Sequence, residues 1–519
     1  MKSFLSRFAP LILSFLSGFD RLRFRGCSRL LNNPQGVQAS YLYQRHLLIK
    51  EFTDHAQKLT KTLVRGTEAM AQADGDKVHY LNSPNSDKEA AALDIAQQRG
   101  LSTGRIAILS CVESCRTYRV RQNPDTGLIG LRKEEARCQH FYHYFLHEQV
   151  GLCYVRLQSW FPFTMRIGLN GRRWLYQQLR RHNIGYVNED NILVDVDDWQ
   201  RAQELLQEQL HTDWPALLDG LALQTNPLLP HLQAWDLPYY WTTEQSEWAT
   251  DILFKDPADL ARWYPLFMRY CVEVLNCRDI LHFLGKKLPR QGFGRRFNGE
   301  VKADVRERHE GMRAKFWYNT NSLKLYDKLP NGLRLETTIN QGASFTVYRP
   351  KEGDDSGDKA RRPLRKGVAD LYRQAEVSQR ANDRLADSLA TVAEPMPLGK
   401  LLAPLGRPVF QNGKRTRALN PLTGADGELL RTIAQGDFLL EGFRNRDVRL
   451  ALHGTATDKD EQRRQAAAVS RKLAILRAHG VIMKIHKTHR YQVTAAGRHI
   501  LTALLAAYAA DVTKLLPAA

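Results

Sequence analysis

Two groups of residues have types and spacings that could do chemistry. The first is NSLKLYDKLPNGLRLETTIN, residues 321–340. Leu323, Leu325, Leu333, Leu335 and Ile339 alternate there around Pro330-Asn331-Gly332, the pattern of a β-hairpin. With those three residues as the turn, Leu329 faces Leu333 and Tyr326 faces Glu336. Lys324, Tyr326, Lys328, Arg334 and Glu336 then share one polar face, and Asp327 is the one charge on the leucine side. Lys324 and Arg334 on such a face can hold a phosphate backbone without any reaction. The second group is Cys111-Val-Glu-Ser-Cys115 at the end of one strand pattern and Cys138-Gln-His140 at the start of another, with His143, His147 and Cys153 nearby. Cys111, Cys115, Cys138 and His140 offer the four soft or borderline ligands that a structural, tetrahedral zinc requires. Their spacing matches no standard finger, and cysteines inside strands also serve as apolar filler. Cys27, Cys271 and Cys277 have no paired ligands.

The elements around these groups read as follows. Residues 1–26 superficially imitate a signal peptide, but Arg7 interrupts a short apolar run that ends in Arg21, Arg23 and Arg25 without a small-x-small cleavage site. They read as an amphipathic helix docked on the body. Helical spacing covers 36–72, and 72–88 is a polar loop. From 105 to 196 short strand patterns alternate with a basic helix at 172–182. Residues 197–285 read as mostly helical and aromatic-rich, with Tyr239, Tyr240, Trp241, Trp248 and Trp263 as core side chains or base-stacking platforms. Strand character returns from 299 to 348. Residues 351–367 form an acidic-then-basic linker whose Arg361, Arg362 and Arg365 can touch phosphate, and 368–393 are helical.

At the C-terminal end, 426–434 and 443–452 are two short helical patterns. Residues 463–477 wind Ala466, Val469, Leu473 and Leu476 onto one stripe, with Arg463, Arg464, Ser470 and Arg471 opposite. His479-Gly480 ends that helix. Strands at 481–485 and 491–493 then flank a tip of Lys487, Thr488, His489 and Arg490, and 499–514 is an alanine-rich closing helix. Small residues between arginines let a helix enter a groove while guanidinium forks reach phosphates or guanine edges.

Three resemblances follow from these residues. The order helix, helix, basic helix, hairpin, helix over about the last hundred residues resembles the winged-helix domains of bacterial regulators of the multiple-antibiotic-resistance type, which implies duplex binding with the 463–477 helix in the major groove. The pairing of Y-D-K (326–328) with L-R-x-E (333–336) resembles replication initiators of rolling-circle plasmids and filamentous phages. That resemblance implies tyrosine-mediated nicking of one DNA strand beside a metal ion, Mg or Mn, with Tyr326, Lys328 and Glu336 as the active residues; which tyrosine attacks is left open. The histidine–hydrophobic–histidine motif of many such enzymes is absent, since His140-Phe-Tyr-His143 has one residue too many. SGFDRLRFRG (17–26) and NSLKLYDK (321–328) together resemble a family of bacterial proteins termed regulator-like from their C-terminal domain alone.

The chain has 519 residues, enough for three or four domains, and 75 Lys and Arg against 55 Asp and Glu give a net charge of +20. That excess favours a polyanionic partner, DNA or possible structured RNA, over a membrane. Seven unevenly spaced cysteines fit a reducing cytoplasm rather than a disulfide framework. No phosphate-binding glycine loop, dinucleotide fingerprint, H-E-x-x-H or G-x-S-x-G occurs, which argues against ATP-driven and common hydrolase chemistry. The expected fold is multidomain α+β: an antiparallel-sheet body with helical insertions and a C-terminal winged helix. Its regions are 1–90 helical, 91–196 α+β with the Cys/His cluster, 197–298 helical, 299–350 hairpin, 351–408 basic linker and helix, and 409–519 winged helix. Three functions fit this reading. The first is a non-catalytic nucleic-acid-binding protein whose winged helix holds duplex DNA while the body holds a second DNA or RNA segment. The second is a metal-dependent nickase of a mobile element, and the third a ligand-sensing transcription regulator. Oligomeric state is not legible.

Overall fold

The computed structural model describes the chain except residues 190, 287–298, 309–310, 329, 352–356, 394–396, 412, 436–437, 439–441, 487 and 511–519. Residues 1–393 and 394–519 form two compact units. The boundaries expected at 90, 196 and 298 therefore fall inside one body, because a single sheet gathers strands from residue 12 to residue 339.

The strands of that sheet are β1 (Ile12–Cys27), β2 (Val78–Tyr80), β3 (Gly104–Gln122), β4 (Ile129–His147), β5 (Gly151–Gln158) and β6 (Met165–Asn170). After a separate small hairpin of β7 (Tyr186–Glu189) and β8 (Ile192–Val196) come β9 (Tyr240–Phe254), β10 (Val301–Arg308), β11 (Gly311–Tyr318), β12 (Asn321–Lys328) and β13 (Gly332–Ile339). The order is β10-β11-β12-β13-β9-β1-β6-β5-β4-β3-β2, antiparallel except for β2 beside β3. This order contains a topological repeat. β1 is followed by the meander β3–β6, whose last strand returns to pair with β1. β9 is followed by the meander β10–β13, whose last strand returns to pair with β9. The two halves meet antiparallel at β1–β9.

One face of the sheet is apolar. Leu22, Phe24, Phe141, Val155 and Ile167 lie under the helices Phe52–Ala73, Gly171–Arg181 and Trp199–Glu208, and Leu323, Leu325, Leu333 and Leu335 lie in a second core with the helices Pro257–Glu273 and Leu371–Leu389. Trp241, Trp248 and Trp263 are buried core side chains. The other face carries the charges, as strand alternation requires, except over β3–β5, where Leu109, Cys111, Tyr142 and Tyr144 pack with the helix Lys88–Gln98 in a further apolar cluster.

Two readings need correction. The N-terminal segment is helical only over Lys2–Phe8, where Phe8 sits edge-on to Trp263 at 4.9 Å; residues 12–27 are the central strand β1. Leu22 and Phe24 alternate with Arg21, Arg23 and Arg25, a period of two that outweighs the apparent amphipathic helix. Residues 240–254, expected within a helical region, form β9. Polar side chains on β9 are buried on both faces, Glu247 and Asp251 on the charged one and Ser246 and Thr250 beside Trp248 on the other, so no apolar alternation marks the strand.

The C-terminal unit runs helix Gly424–Ile433, strand Phe443–Arg444, helices Asn445–His453 and Lys459–Ala478, strands Ile482–Lys484 and Arg490–Val493, and helix Ala495–Ala509. The three strands make one sheet with Arg490–Val493 in the middle. Asp458 caps the long helix by accepting from the Asp460 and Glu461 amides, and of the expected stripe Val469, Leu473 and Leu476 are fully buried while Ala466 is half-buried. No helix of the described residues is long and apolar enough to cross a membrane.

Candidate active site

The β12–β13 hairpin pairs Lys324 with Glu336, Tyr326 with Arg334 and Lys328 with Gly332. The turn therefore falls between Lys328 and Gly332 rather than over 330–332, each described partner moves by two, and Leu329, expected opposite Leu333, lies outside the described residues. A shift of two preserves the side of each side chain, so Lys324, Tyr326, Lys328, Arg334 and Glu336 do share the charged face. Central strand β1 brings the residue that sequence reasoning missed. Its register against β9 slips between Phe19 and Arg21, so Asp20 is the extra residue of a β-bulge. A bulge re-aims a side chain, and here Asp20 and Arg21 both serve the charged face. β9 supplies Glu247 and Asp251 from the stretch without alternation.

Carboxylate oxygens of Asp20, Glu247 and Glu336 lie within 4.8 Å of one another, all three residues buried. Tyr326 donates its hydroxyl proton to Glu336 at 2.8 Å, and Lys324 is ion-paired with the same carboxylate. Arg334 is fully buried. Its Nε and Nη2 grip Asp251, the latter at 2.9 Å, and Nη1 lies 3.4 Å from Asp20. Arg172, at the start of the helix Gly171–Arg181, reaches the other side of Asp251 at 2.8 Å. Asn191, from the β7–β8 turn, donates to Asp20 at 2.8 Å and accepts from Arg334. A cleft of about 310 Å³ opens over the group, lined among others by Arg21, Arg313, Lys324, Tyr326 and Lys328.

Charge settles unevenly across this network. Burial pushes the Asp20 carboxyl above its usual range; Arg334 opposes that and Glu336 adds to it. Glu247 is likewise pushed up by burial and by the Glu336 charge. For Glu336 burial acts upward too, but the charge and hydrogen bond of Lys324, with Arg334 and the Tyr326 hydroxyl, hold it below the ordinary carboxylate value. Asp251 is held low because Arg334 and Arg172 outweigh its burial. Burial and Glu336 raise the Tyr326 phenol well above its normal value, so it keeps its proton until a base takes it. Asp20, Glu247 and Glu336 offer only oxygen ligands, which suits a hard divalent cation such as Mg²⁺ or Mn²⁺ rather than zinc. The pushed-up acids mark the place where positive charge is short.

The remaining expected residues are scattered. Arg334 cannot hold a phosphate backbone, being enclosed by two aspartates with no exposed surface. Cys111, Cys115, Cys138 and His140 lie on one face of β3 and β4, but in the middle of two 19-residue strands rather than at their ends. Cys111 Sγ donates to Glu113 at 3.1 Å, and Cys138 Sγ is 3.9 Å from His140 Nε2. Among the described residues these four do not bring three ligand atoms within 4.8 Å of one another. Arg361 is exposed on a short strand, Ala360–Pro363, where a linker was expected; Arg362 is half-buried and Arg365 pairs with Asp370 at 3.2 Å. In the C-terminal unit Arg463, Arg464, Ser470 and Arg471 are exposed on the long helix and His489 is exposed on the hairpin. Arg490 donates to the Gly442 carbonyl at 3.2 Å, and Lys487 lies outside the described residues.

No family model matches the chain, and no curated protein matches it. A solved structure, the di-domain ARO/CYC BexL from the BE-7585A biosynthetic pathway, aligns over 56% of this chain and 99% of its own at 9% identity with a TM-score of 0.15, too low for any argument about fold or activity.

Proposed function

We propose that the body is a metal-dependent phosphodiester-cleaving enzyme that nicks DNA through Tyr326. The observation that carries this reading is a tyrosine hydroxyl hydrogen-bonded to one member of a buried trio of carboxylates whose oxygens lie within 4.8 Å of one another. Tyr326 Oη forms the bond to phosphorus, its proton passes to Glu336, and the sugar oxygen that leaves takes a proton, which Lys328 on the same cleft can supply. Lys324 keeps Glu336 ionised and therefore ready to accept. Asp20, Glu247 and Glu336 would hold a Mg²⁺ or Mn²⁺ ion, which when bound polarises the phosphoryl oxygens and offsets their developing charge. Arg334, Arg172 and Asn191 touch no substrate and act as positioning residues.

The C-terminal unit suits duplex binding of the winged-helix kind: its element order and the exposed Arg463, Arg464 and Arg471 opposite a buried stripe support that role. Binding without cleavage is the second reading, favoured by these exposed arginines alone.

The test is incubation with supercoiled plasmid and, separately, with a random single-stranded oligonucleotide pool in Mn²⁺. Nicked circles or shortened oligonucleotides, together with a covalent protein–DNA adduct, are expected from the parent chain and absent from Tyr326→Phe. Glu247→Gln should lose cleavage while keeping DNA affinity. Equal outcomes for the parent and Tyr326→Phe chains would remove Tyr326 from the chemistry.

A further inference from the structure

The topological repeat places a second cleft on the charged face. In the half containing Tyr326, the cross-strand row β9–β13–β12 reads Asp251, Arg334, Tyr326. The corresponding row β1–β6–β5 in the other half reads Arg25, Arg166, Arg156. Like charges set directly opposite one another across strands repel, so three arginines in one row need negative charge from elsewhere. Two of them have part of it. Arg156 donates to Glu113 at 2.7 Å and Arg166 to Glu244 at 2.6 Å. Arg25 has no carboxylate within 4 Å among the described residues, and neither does Arg116, which joins the same cleft. The cleft encloses about 400 Å³; its charged lining is Arg25, Arg116, Arg156 and Arg166 against Glu135 and Glu244, and with Glu113 offsetting Arg156 from outside the lining one positive charge remains in excess. Arg156 Nε is a buried donor with no partner among the described residues.

We infer that this arginine cleft is a phosphate-binding site, the counterpart in the first half of the reactive cleft in the second. Guanidinium forks bind phosphate oxygens in pairs, and four around one cavity suit a multiply charged oxyanion better than a single carboxylate. Arg25 follows Asp20 by five residues along β1, roughly 17 Å at strand rise, with Arg21 and Arg23 between them. A polynucleotide backbone following β1 would thus meet the reactive carboxylates at one end and this cleft at the other. The polynucleotide source rests on the proposed nicking function; the phosphate chemistry does not.

The test uses the full chain carrying Arg464→Ala and Arg471→Ala, to silence the C-terminal unit, and Tyr326→Phe, to prevent cleavage. On that background Arg25→Gln and Arg116→Gln are combined; among the described residues neither has an ion pair to lose, Arg25 giving up only a hydrogen bond to Asn32 at 3.4 Å, and circular dichroism checks that the variant is folded. Inorganic phosphate is followed by ³¹P NMR line broadening, and a fluorescent 12-nucleotide single strand by anisotropy across a KCl series. Phosphate broadening should vanish in the Gln variant, oligonucleotide affinity should fall at least ten-fold, and the salt slope should drop by one to two. Loss of broadening with unchanged oligonucleotide affinity assigns the cleft to a free phosphate compound. Unchanged broadening and unchanged affinity overturn the inference. Nicking is scored separately on the chain that keeps Tyr326, so failed cleavage with a positive Arg25/Arg116 result removes the nickase and leaves the phosphate site.

Discussion

Replacing Arg334 by methionine isolates the charge that holds the site together. Arg334 is enclosed completely, with Asp251 on two of its nitrogens, Asp20 at 3.4 Å and the Asn191 carbonyl at 2.8 Å. Methionine fills much of the volume but leaves Asp251 with Arg172 alone and Asp20 with Asn191 alone. Removing one partner of a buried ion pair costs about 3–5 kcal/mol, a large part of the ~5–15 kcal/mol by which folded domains are stable. The loss depends on pH with a definite sign. Asp251 is held below its usual value, so it stabilises the fold above roughly pH 4 and that contribution fades as pH falls through its folded value. Without Arg334 the depression shrinks, and Asp20, already pushed up, keeps its proton. The gap between parent and Arg334→Met should therefore be widest near pH 7 and narrow below about pH 4. Urea unfolding followed by the fluorescence of the buried Trp241 and Trp248 reads it directly. Arg334→Lys keeps the charge without the fork and should recover only part of the loss. A variant within ~1 kcal/mol of the parent at pH 7, or a gap that widens on acidification, would falsify the assignment.

Other outcomes are as definite. His143 lies on the apolar face between Ile108 and Val155 with both ring nitrogens unpaired, and burial lowers its pKa to about 3. Its stabilisation is complete above pH 6.5 and fades as pH falls towards 3; lowering pH from 7 to 5 should cost about 2 kcal/mol that His143→Leu does not lose, as urea midpoints at the two pH values will show. Mn²⁺ titrated calorimetrically in two buffers of different ionisation enthalpy should release protons, because Asp20 and Glu247 are pushed up by burial; affinity should rise with pH and collapse in Asp20→Asn. Arg464→Ala or Arg471→Ala should weaken duplex binding by ~1–3 kcal/mol if either reads a base, with reduced discrimination between sequences in competition assays.

The hairpin at 321–340 was legible because its leucines alternate on one side, broken only by Asp327 and Thr337, and even the misplaced turn kept the described side chains on their correct side. The long basic helix was equally plain from its stripe and its His479-Gly480 stop, both local features, although it begins at Lys459 rather than 463. Asp20 and Glu247 were not. Asp20 acts through a bulge, which exists only once β1 lies against β9, and Glu247 sits in a strand whose buried polar residues mimic an exposed segment. Arg334 was misjudged for the same reason: an arginine beside leucines reads as a surface cation until the aspartates that enclose it arrive from elsewhere in the chain. The repeat of two halves was hidden because the rows share only their middle arginine, one reading Asp-Arg-Tyr and the other Arg-Arg-Arg.

The position of β1 bears on how the protein is made. It precedes its neighbours in the chain, β6 following well over a hundred residues later and β9 more than two hundred later. At ~5–20 residues per second, β1 waits roughly ten to forty seconds for its second neighbour. During that interval Phe19, Leu22 and Phe24 lack the cover they have in the finished sheet. Expression yield should therefore respond sharply to chaperones that hold nascent chains and to any nascent chain arrested before residue 254, which would display an open, aggregation-prone edge.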